Sequence, residues 1–491
     1  HGLKDVARFF GLAVEDRVYL GGRDIYPTYR QDPDRVRRYA LQDVGETDAI
    51  AQRLHPSAFA LARMAPRRYE RVAYAGTATG ILEPLLVRAY YQAGAALPRS
   101  SEPPGGGPHA GGGLSLFATG VAHRIVKADV ASLYPSLIRL YRIGPRCDYL
   151  GAFVHVVERL TALRLEHKAA ARDPQRTPLE RGESEATQAA MKLVINAAYG
   201  YLGAGRMAWF ADPQAADEIT RRGREILAVV CAGLRSGGAT LIEADTDGVY
   251  FSVPEGWDEA RERALVEAAA ATLPDGLRLE FDGRYRAMFS HEVKNYALLG
   301  YDGRLVVRGG ALKSSRAEPF AEAWLQGALR CLLEGDIAGL REGFVETLAK
   351  LRGRAFSLAD VAIPAKLTKT PEQYAESSRS EAVYEALLAS GRTHWTQGER
   401  VRIYRTKAGW RVLEEDTLGP EYDATHYARV LRDSYAERLR KAFEAHHFEA
   451  LFRPQAQPGL FDVPLGAIRP RFVEASAALN PEGQSDLPNP P

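Results

Sequence analysis

The sequence predicts an α+β fold built on an antiparallel sheet, and three observations carry that reading. The apolar run Val126-Lys127-Ala128-Asp129-Val130 is followed by Pro135, which a first helical turn accepts and a central strand does not. That stretch reads as strand, carboxylate, sharp turn, helix. Two β-prone runs, 239–244 and 249–253, flank Asp245-Thr246-Asp247-Gly248, and Asp-Gly between such runs signals a hairpin. From Ala317 to Leu451 helical periodicity dominates, with a β-like interlude over 400–413.

The hairpin puts Asp245 and Asp247 at its tip, and Asp129 at the end of a neighbouring strand would bring a third carboxylate to a place where no protein cation is evident. Such a group takes a divalent metal or partly protonates. Mg²⁺, held by one or two carboxylates plus substrate phosphates, is the natural occupant. Asp-x-Asp alone also occurs in solvated turns and in sugar-nucleotide transferases, so the blocks around it matter. Between the two acidic stretches lies Lys192-Leu193-Val194-Ile195-Asn196-Ala197-Ala198-Tyr199-Gly200.

In this order, Asp-x-x-Ser-Leu-Tyr-Pro-Ser, Lys-x-x-x-Asn-x-x-Tyr-Gly and Asp-Thr-Asp resemble motifs A, B and C of the family B DNA polymerases. The resemblance implies a right-hand polymerase with an antiparallel-sheet palm, helical-hairpin fingers and a mostly helical thumb, preceded by a partial exonuclease-like segment. It implies template-directed addition of dNTPs to a primer 3′ end with two Mg²⁺ ions, Mn²⁺ being able to substitute. Asp129 and Asp247 would bridge the metals, with Asp245 in support. Tyr134 would lie under the incoming sugar and leave no room for a 2′-hydroxyl, with Ser132, Leu133 and Tyr199 completing the nucleotide contacts. A catalytically silent relative, kept as a DNA-binding or scaffolding subunit, is the alternative; a glycosyltransferase would leave the first two motifs unexplained.

The 491 residues suffice for about three or four domains. The net charge of +2 does not announce a nucleic-acid binder, so any phosphate-binding surface must come from the placement of charges. Cys147, Cys231 and Cys331 stand apart with no Cys-x-x-Cys spacing, which fits a reducing cytosol and small buried apolar roles. No apolar run approaches the roughly 18 residues of a membrane span. We expect a soluble, cytoplasmic, nucleoid-associated monomer of bacterial type.

In chain order, residues 1–60 read as the exonuclease-like segment, N-terminally incomplete. Tyr39 and Asp43, four apart on a helix running to about Leu54, resemble that domain's Tyr-x-x-x-Asp motif; an amphipathic helix with a surface Asp is the plainer reading. No Asp-x-Glu precedes them, so proofreading is not expected of this chain. Residues 61–113 connect to the palm and end in a Gly/Pro-rich loop; 114–145 form palm with motif A.

Residues 146–206 read as fingers, a helical hairpin broken by a polar turn over 171–182. Arg164 and Lys168 on one arm, and Gln188, Lys192 and Asn196 on the other, recur at four, so each arm carries a polar stripe suited to a triphosphate or simply to solvent. The resemblance assigns Arg164, Lys168, Lys192 and Asn196 to the β- and γ-phosphates.

Residues 207–316 return to the palm with motif C, in which Glu243 stands where the family has Tyr and Gly248 where it has Ser. Glu243 would add negative charge near the primer end. Runs over 277–281 and 288–299 look like two more strands. By resemblance Gly200, Thr246, Lys294, Tyr296, Arg308, Gly309, Lys313 and Arg316 would contact primer–template DNA; a solvated basic edge is the competing reading. Residues 317–452 read as thumb and 453–491 as a flexible, Pro-rich tail. Within the tail, Gln457, Leu460 and Phe461 resemble the Gln-x-x-Leu-Phe peptide by which bacterial polymerases bind the sliding clamp.

Overall fold

The computed structural model describes residues 2–454 except Arg23, 100–113, Ser315 and 415–420, together with 463–473. The chain divides into two compact units, 1–111 with 132–223, and 112–131 with 224–491.

The first unit is helical. It contains α1 (Leu3–Phe9), α2 (Ile25–Gln31), α3 (Pro33–Met64), α4 (Tyr69–Tyr74), α5 (Glu83–Gln92), α6 (Leu133–Leu140), α7 (Ala152–Ala170) and α8 (Pro178–Leu202). Asp32 caps α3 by accepting from the Arg35 N–H at 3.0 Å, and Pro33 at the first position costs nothing there. The helix runs ten residues beyond the expected end at Leu54, straight through Pro56, because its apolar face continues to Met64 and packs on α4 and α8.

Pro135 falls in the first turn of α6, as its sequence position requires. The antiparallel hairpin of α7 and α8 is also present, with a shorter connection than expected. Thr177 and Glu180 form a capping box and Pro178 sits at the first helical position, so this proline starts α8 rather than interrupting it. The far end of α8 is fixed by Tyr201, whose fully buried hydroxyl donates to Glu83 at 3.0 Å and accepts from the Phe210 N–H at 3.1 Å.

The second unit holds a seven-stranded antiparallel sheet in the order β1-β3-β4-β2-β5-β6-β7. Its strands are β1 (Leu114–Leu116), β2 (Gly120–Val130), β3 (Thr240–Asp245), β4 (Gly248–Ser252), β5 (Leu279–Glu292), β6 (Asn295–Leu299) and β7 (Leu305–Arg308). One face is apolar: Val126, Ala128, Val130, Val249 and Phe251 are fully buried. Helix α9 (Pro213–Ser236) contributes its C-terminal part to this unit, where Gly233 and Gly237 let it lie against Ala269 and Leu265 of α10 (Glu259–Ala270). The runs expected as separate strands over 277–281 and 288–299 are instead one continuous β5 followed by β6. Within the polar stretch 282–286 that suggested a break, Gly283, Arg284 and Tyr285 pair with β2, and a bulge leaves Asp282 out of the ladder.

Beyond the sheet come α11 (Pro319–Glu334), α12 (Ile337–Arg352) and α13 (Leu358–Val361). Then follow β8 (Ile363–Lys366), α14 (Pro371–Ala375), α15 (Ala382–Ala389), β9 (Arg400–Thr406), β10 (Gly409–Val412), α16 (Ala424–Val430) and α17 (Ala445–Leu451). A three-stranded sheet, β10-β9-β8, covers α15 through a separate small core of Leu367, Tyr384, Leu387 and Ile403. Strand β8 was not legible as a strand because Pro364 and Lys366 alternate with only Ile363 and Ala365.

The expectation of a flexible tail beyond Arg453 does not hold for residues 463–473. Residues 463–473 return to the second unit, where Ile468 is fully buried and Phe472 bridges Val121 at the start of β2. Gln457, Leu460 and Phe461 lie outside the described residues. Among the described residues no helix is long and apolar enough to cross a membrane. All three cysteines are free, Cys231 buried and Cys147 and Cys331 half-buried.

Candidate active site

The second sheet face is where the acidic motifs meet. Asp245 ends β3 and Asp129 stands one residue from the end of β2, and both are in register with Gly248 on β4. Directly opposed residues of antiparallel strands point to the same side. Asp245 and Asp129 therefore share a face two strand spacings apart, about 9.5 Å. Asp247 occupies the two-residue turn between them, and its carbonyl accepts the Val130 N–H at 2.6 Å, which pins the hairpin tip to the end of β2. A Cβ at Gly248 would come within 2.6 Å of Asp129 Oδ1, so the glycine supplies the room in which that carboxylate sits.

Burial, and next the charge of Asp247, push the Asp129 carboxyl up to about 6, with Lys127 offsetting part of the rise. Asp247 is also raised, by burial and then by Asp245. Both carboxyls therefore hold a proton more readily than a solvated aspartate does.

The expectation that three carboxylates converge without a protein cation needs correction on both counts. Lys127, two residues before Asp129 and hence on its face, brings its ammonium to 3.6 Å from Asp129 Oδ1 and also binds Asp282. Lys294 reaches Asp245 Oδ1 at 3.2 Å. Asp245 is thus engaged by Lys294 and by the Thr246 hydroxyl, which donates to it at 2.9 Å. Among the described residues no group of three or more His, Cys, Asp or Glu stands close enough to hold a metal ion. What the sheet presents is a pair, Asp129 and Asp247, flanked by a lysine-paired Asp245.

Glu243 is corrected as well. It is fully buried rather than displayed, and one carboxylate oxygen accepts the Lys294 N–H at 2.7 Å while the other has no hydrogen-bond partner. Burial raises its pKa. Its contact holds the tight β5–β6 turn, where Lys294 adopts the left-handed region at φ 60°. Gly309, at φ 89°, lets β7 pass that turn, since a Cβ there would lie 2.3 Å from the Lys294 carbonyl oxygen. Tyr296 shares a 2.9 Å hydrogen bond with Tyr250 and is not a free surface group. Arg308, Lys313 and Arg316 are exposed.

In the first unit, Tyr134 on α6 and Tyr199 on α8 contact ring to ring at 4.4 Å. Gly223 permits this, because a Cβ would sit 3.2 Å from Tyr134 Cε1. Ser132 adopts the left-handed region at φ 50° just before α6, while the Leu133 side chain is core. Any nucleotide contact by Leu133 is confined to its backbone.

Lys192, Asn196 and Gly200 form an exposed stripe on α8, away from its buried face of Val194, Ile195 and Ala198. On α7, Arg164 and Lys168 are half-buried, and Arg164 Nε has no hydrogen-bond partner. Tyr39 and Asp43 are committed elsewhere: Tyr39 accepts from Lys4 Nζ at 2.8 Å, and Asp43 pairs with the buried Arg17 that also binds Glu46 at 2.8 Å. Sequence reasoning missed Lys127 and Asp282. The first was signalled by its i, i+2 spacing from Asp129, whereas the second depends on the bulge.

A mixed helix-and-sheet chain whose antiparallel sheet groups acidic side chains at a hairpin tip is the class this geometry defines. The chain belongs to DNA polymerase family B, whose family model matches residues 149–446, more than half its length. It is similar to DNA polymerase 1 of Pyrococcus abyssi, 28% identical over 305 residues that cover 56% of this chain and 39% of the relative. The DNA polymerase of Thermococcus sp. (strain 9oN-7) is 24% identical over 464 residues, covering 87% of this chain and 59% of the relative. The chain therefore spans roughly two fifths to three fifths of the length of these curated relatives. A solved structure of the family B DNA polymerase from the hyperthermophilic archaeon Pyrobaculum calidifontis shares the fold, with a TM-score of 0.67 at 22% identity over 91% of this chain and 61% of that one. These relatives are archaeal and lend no support to a bacterial type.

Proposed function

We propose that this chain carries the polymerase part of a template-directed DNA polymerase and extends a primer 3′ end with dNTPs. The observation that carries the reading is the Asp129–Asp247 pair, two carboxylates from distant parts of the sequence joined by the Val130–Asp247 backbone bond, both buried enough to raise their pKa. Hard oxygen donors in such a pair fit Mg²⁺, or Mn²⁺ in its place, with substrate phosphates and water completing the coordination. Two metals would be held by Asp129 and Asp247, with Asp245 in support. A divalent cation held by these carboxylates would supply acidification of a primer 3′-hydroxyl and charge stabilisation at the transferring phosphoryl group.

The remaining roles belong to the chain's own side chains. The seven-stranded sheet would be the palm, α7 and α8 the fingers, and 317–452 the thumb. Arg164, Lys168, Lys192 and Asn196 would hold the triphosphate. Lys294, Arg308, Lys313 and Arg316 would position the primer–template backbone without reading its sequence. The retained acids and the exposed Lys192 and Asn196 speak against a silent relative. The clamp contact through Gln457, Leu460 and Phe461 stays a proposal from sequence.

Primer extension by this chain with Mg²⁺ and either dNTPs or rNTPs tests the reading. Deoxynucleotides should be incorporated and ribonucleotides largely refused. Tyr134→Ala should raise ribonucleotide incorporation by about 10- to 100-fold, the range in which a pocket discriminates one small group, while Tyr134→Phe keeps the selection. Failure to extend any primer with either substrate would remove the proposal.

A further inference from the structure

Lys127 is placed unusually for a strand lysine. Its ammonium lies between two carboxylates, 3.6 Å from Asp129 Oδ1 and hydrogen-bonded to Asp282, and 5.9 Å from the centre of the Tyr250 ring, with its side chain only 22% exposed. Asp282 owes its position to the bulge: Lys127 pairs with Gly283 and Ala128 with Phe281, so residue 282 has no partner in the ladder and turns back to the lysine. At 49% side-chain exposure, Asp282 keeps one side of the ion pair in water, where it can hold an ammonium unaided.

We propose that Lys127 and Asp282 form a counter-ion exchange. The ammonium neutralises Asp129 while no divalent cation is present, and moves wholly onto Asp282 when one binds Asp129 and Asp247. The inference rests on the metal-dependent reading of this site. An ammonium and a divalent cation repel each other at contact distance, so both cannot stay against the same carboxylate. Rotation about the last bonds of a lysine is enough to exchange one acceptor for the other. Lys127 therefore lowers the affinity for metal and stabilises the metal-free site, and Asp282 limits that loss of affinity.

The test uses the full chain and Mn²⁺ alone, with free Mn²⁺ followed by its paramagnetic resonance signal and the bound state by the metal-induced rise in unfolding temperature. Lys127→Met should tighten Mn²⁺ binding about 10-fold and enlarge the thermal shift, whereas Asp282→Asn should weaken binding by about 3- to 10-fold. The double variant decides between exchange and simple summation of charge. With Lys127 gone Asp282 has nothing to hold, so the double variant should match Lys127→Met within about twofold. If charges merely add, it falls midway between the single variants and the exchange is wrong.

Unchanged or weaker binding in Lys127→Met overturns the proposal, and Lys127→Gln, with the same expected tightening, guards against a folding defect. Asp247→Ala separates the two layers. If the wild-type chain has no Mn²⁺ site that this substitution removes, the metal-dependent reading fails. If it has one and the Lys127 variants leave it unaltered, only the exchange fails.

Discussion

Asp129→Asn should abolish primer extension and at the same time stabilise the metal-free protein at pH 8. On the proposed reading Asp129 would hold metal, and its loss is expected to cost on the order of a thousandfold in rate, equivalent to about 4 kcal/mol of barrier. The stability gain follows from the raised acid. In the folded chain burial, and next Asp247, push Asp129 up to about 6 from 3.8 for an ordinary aspartate, so between those values the folded state binds a proton that the unfolded state has released. Stability from this group is intact below pH 4, declines as pH rises toward 6, and stays lost above.

The full shift corresponds to about 3 kcal/mol, and the side chain's 30% exposure reduces the expected gain to roughly 1–2 kcal/mol. Asparagine keeps the shape, never ionises, and leaves Lys127 its partner Asp282. Denaturant unfolding in a chelating buffer should show the variant more stable than wild type at pH 8 and equal to it near pH 4. Equal stability at both pH values would mean that the carboxylate carries no such strain. An activity lost together with stability gained is what a carboxylate kept buried beside a second acid predicts.

The acids were legible because their signals are local. Asp-Gly between β-prone runs forces a tight turn whatever surrounds it, and Pro135 six residues after Asp129 dates the end of a strand. Lys127 was readable too, since alternation alone puts it on Asp129's face, but a lysine in an apolar run passes for an edge residue. Asp282 was not readable. Its position follows from a one-residue register shift between β2 and β5, and a bulge has no fixed signature in sequence. Glu243 misled for a related reason: a charge in a motif suggests display, whereas a neighbouring turn supplies the N–H that lets it stay buried. Pro56 and Pro178 show the two limits of reading prolines, one overridden by packing and the other serving as a helix start. Ile468 lies in a Pro-rich stretch whose composition argues against order, yet one apolar side chain found a complete burial site in the second unit.

The Arg17 cluster yields the second large effect. Arg17 and Glu46 have side chains only 2% exposed and lie 2.8 Å apart, with Asp43 at 29% exposure taking the other edge of the guanidinium. The same guanidinium donates to the Val18 carbonyl at 2.6 Å and to Gln42 at 3.2 Å, so it joins the loop before α2 to the middle of α3. Arg17→Ala would strand Glu46 as a buried charge whose second oxygen already lacks a hydrogen-bond partner. Breaking a buried pair from one side costs about 3–5 kcal/mol, and with the Asp43 edge of the cluster 29% exposed the loss belongs at about 3.

Replacing both ends, Arg17→Met with Glu46→Leu, should recover most of that loss, because it removes the uncompensated charge as well as the pair. Hydrogen exchange over residues 12–64 is the measurement. Protection should fall sharply in the single variant and return in the double, while the second unit's sheet stays as protected as in wild type. If the single variant leaves exchange in α3 unaltered, the cluster is a solvated pair. Asp43 would then be as available to a ligand as the Tyr-x-x-x-Asp spacing first suggested, and its engagement by Arg17 would not explain why this segment should hold together without one.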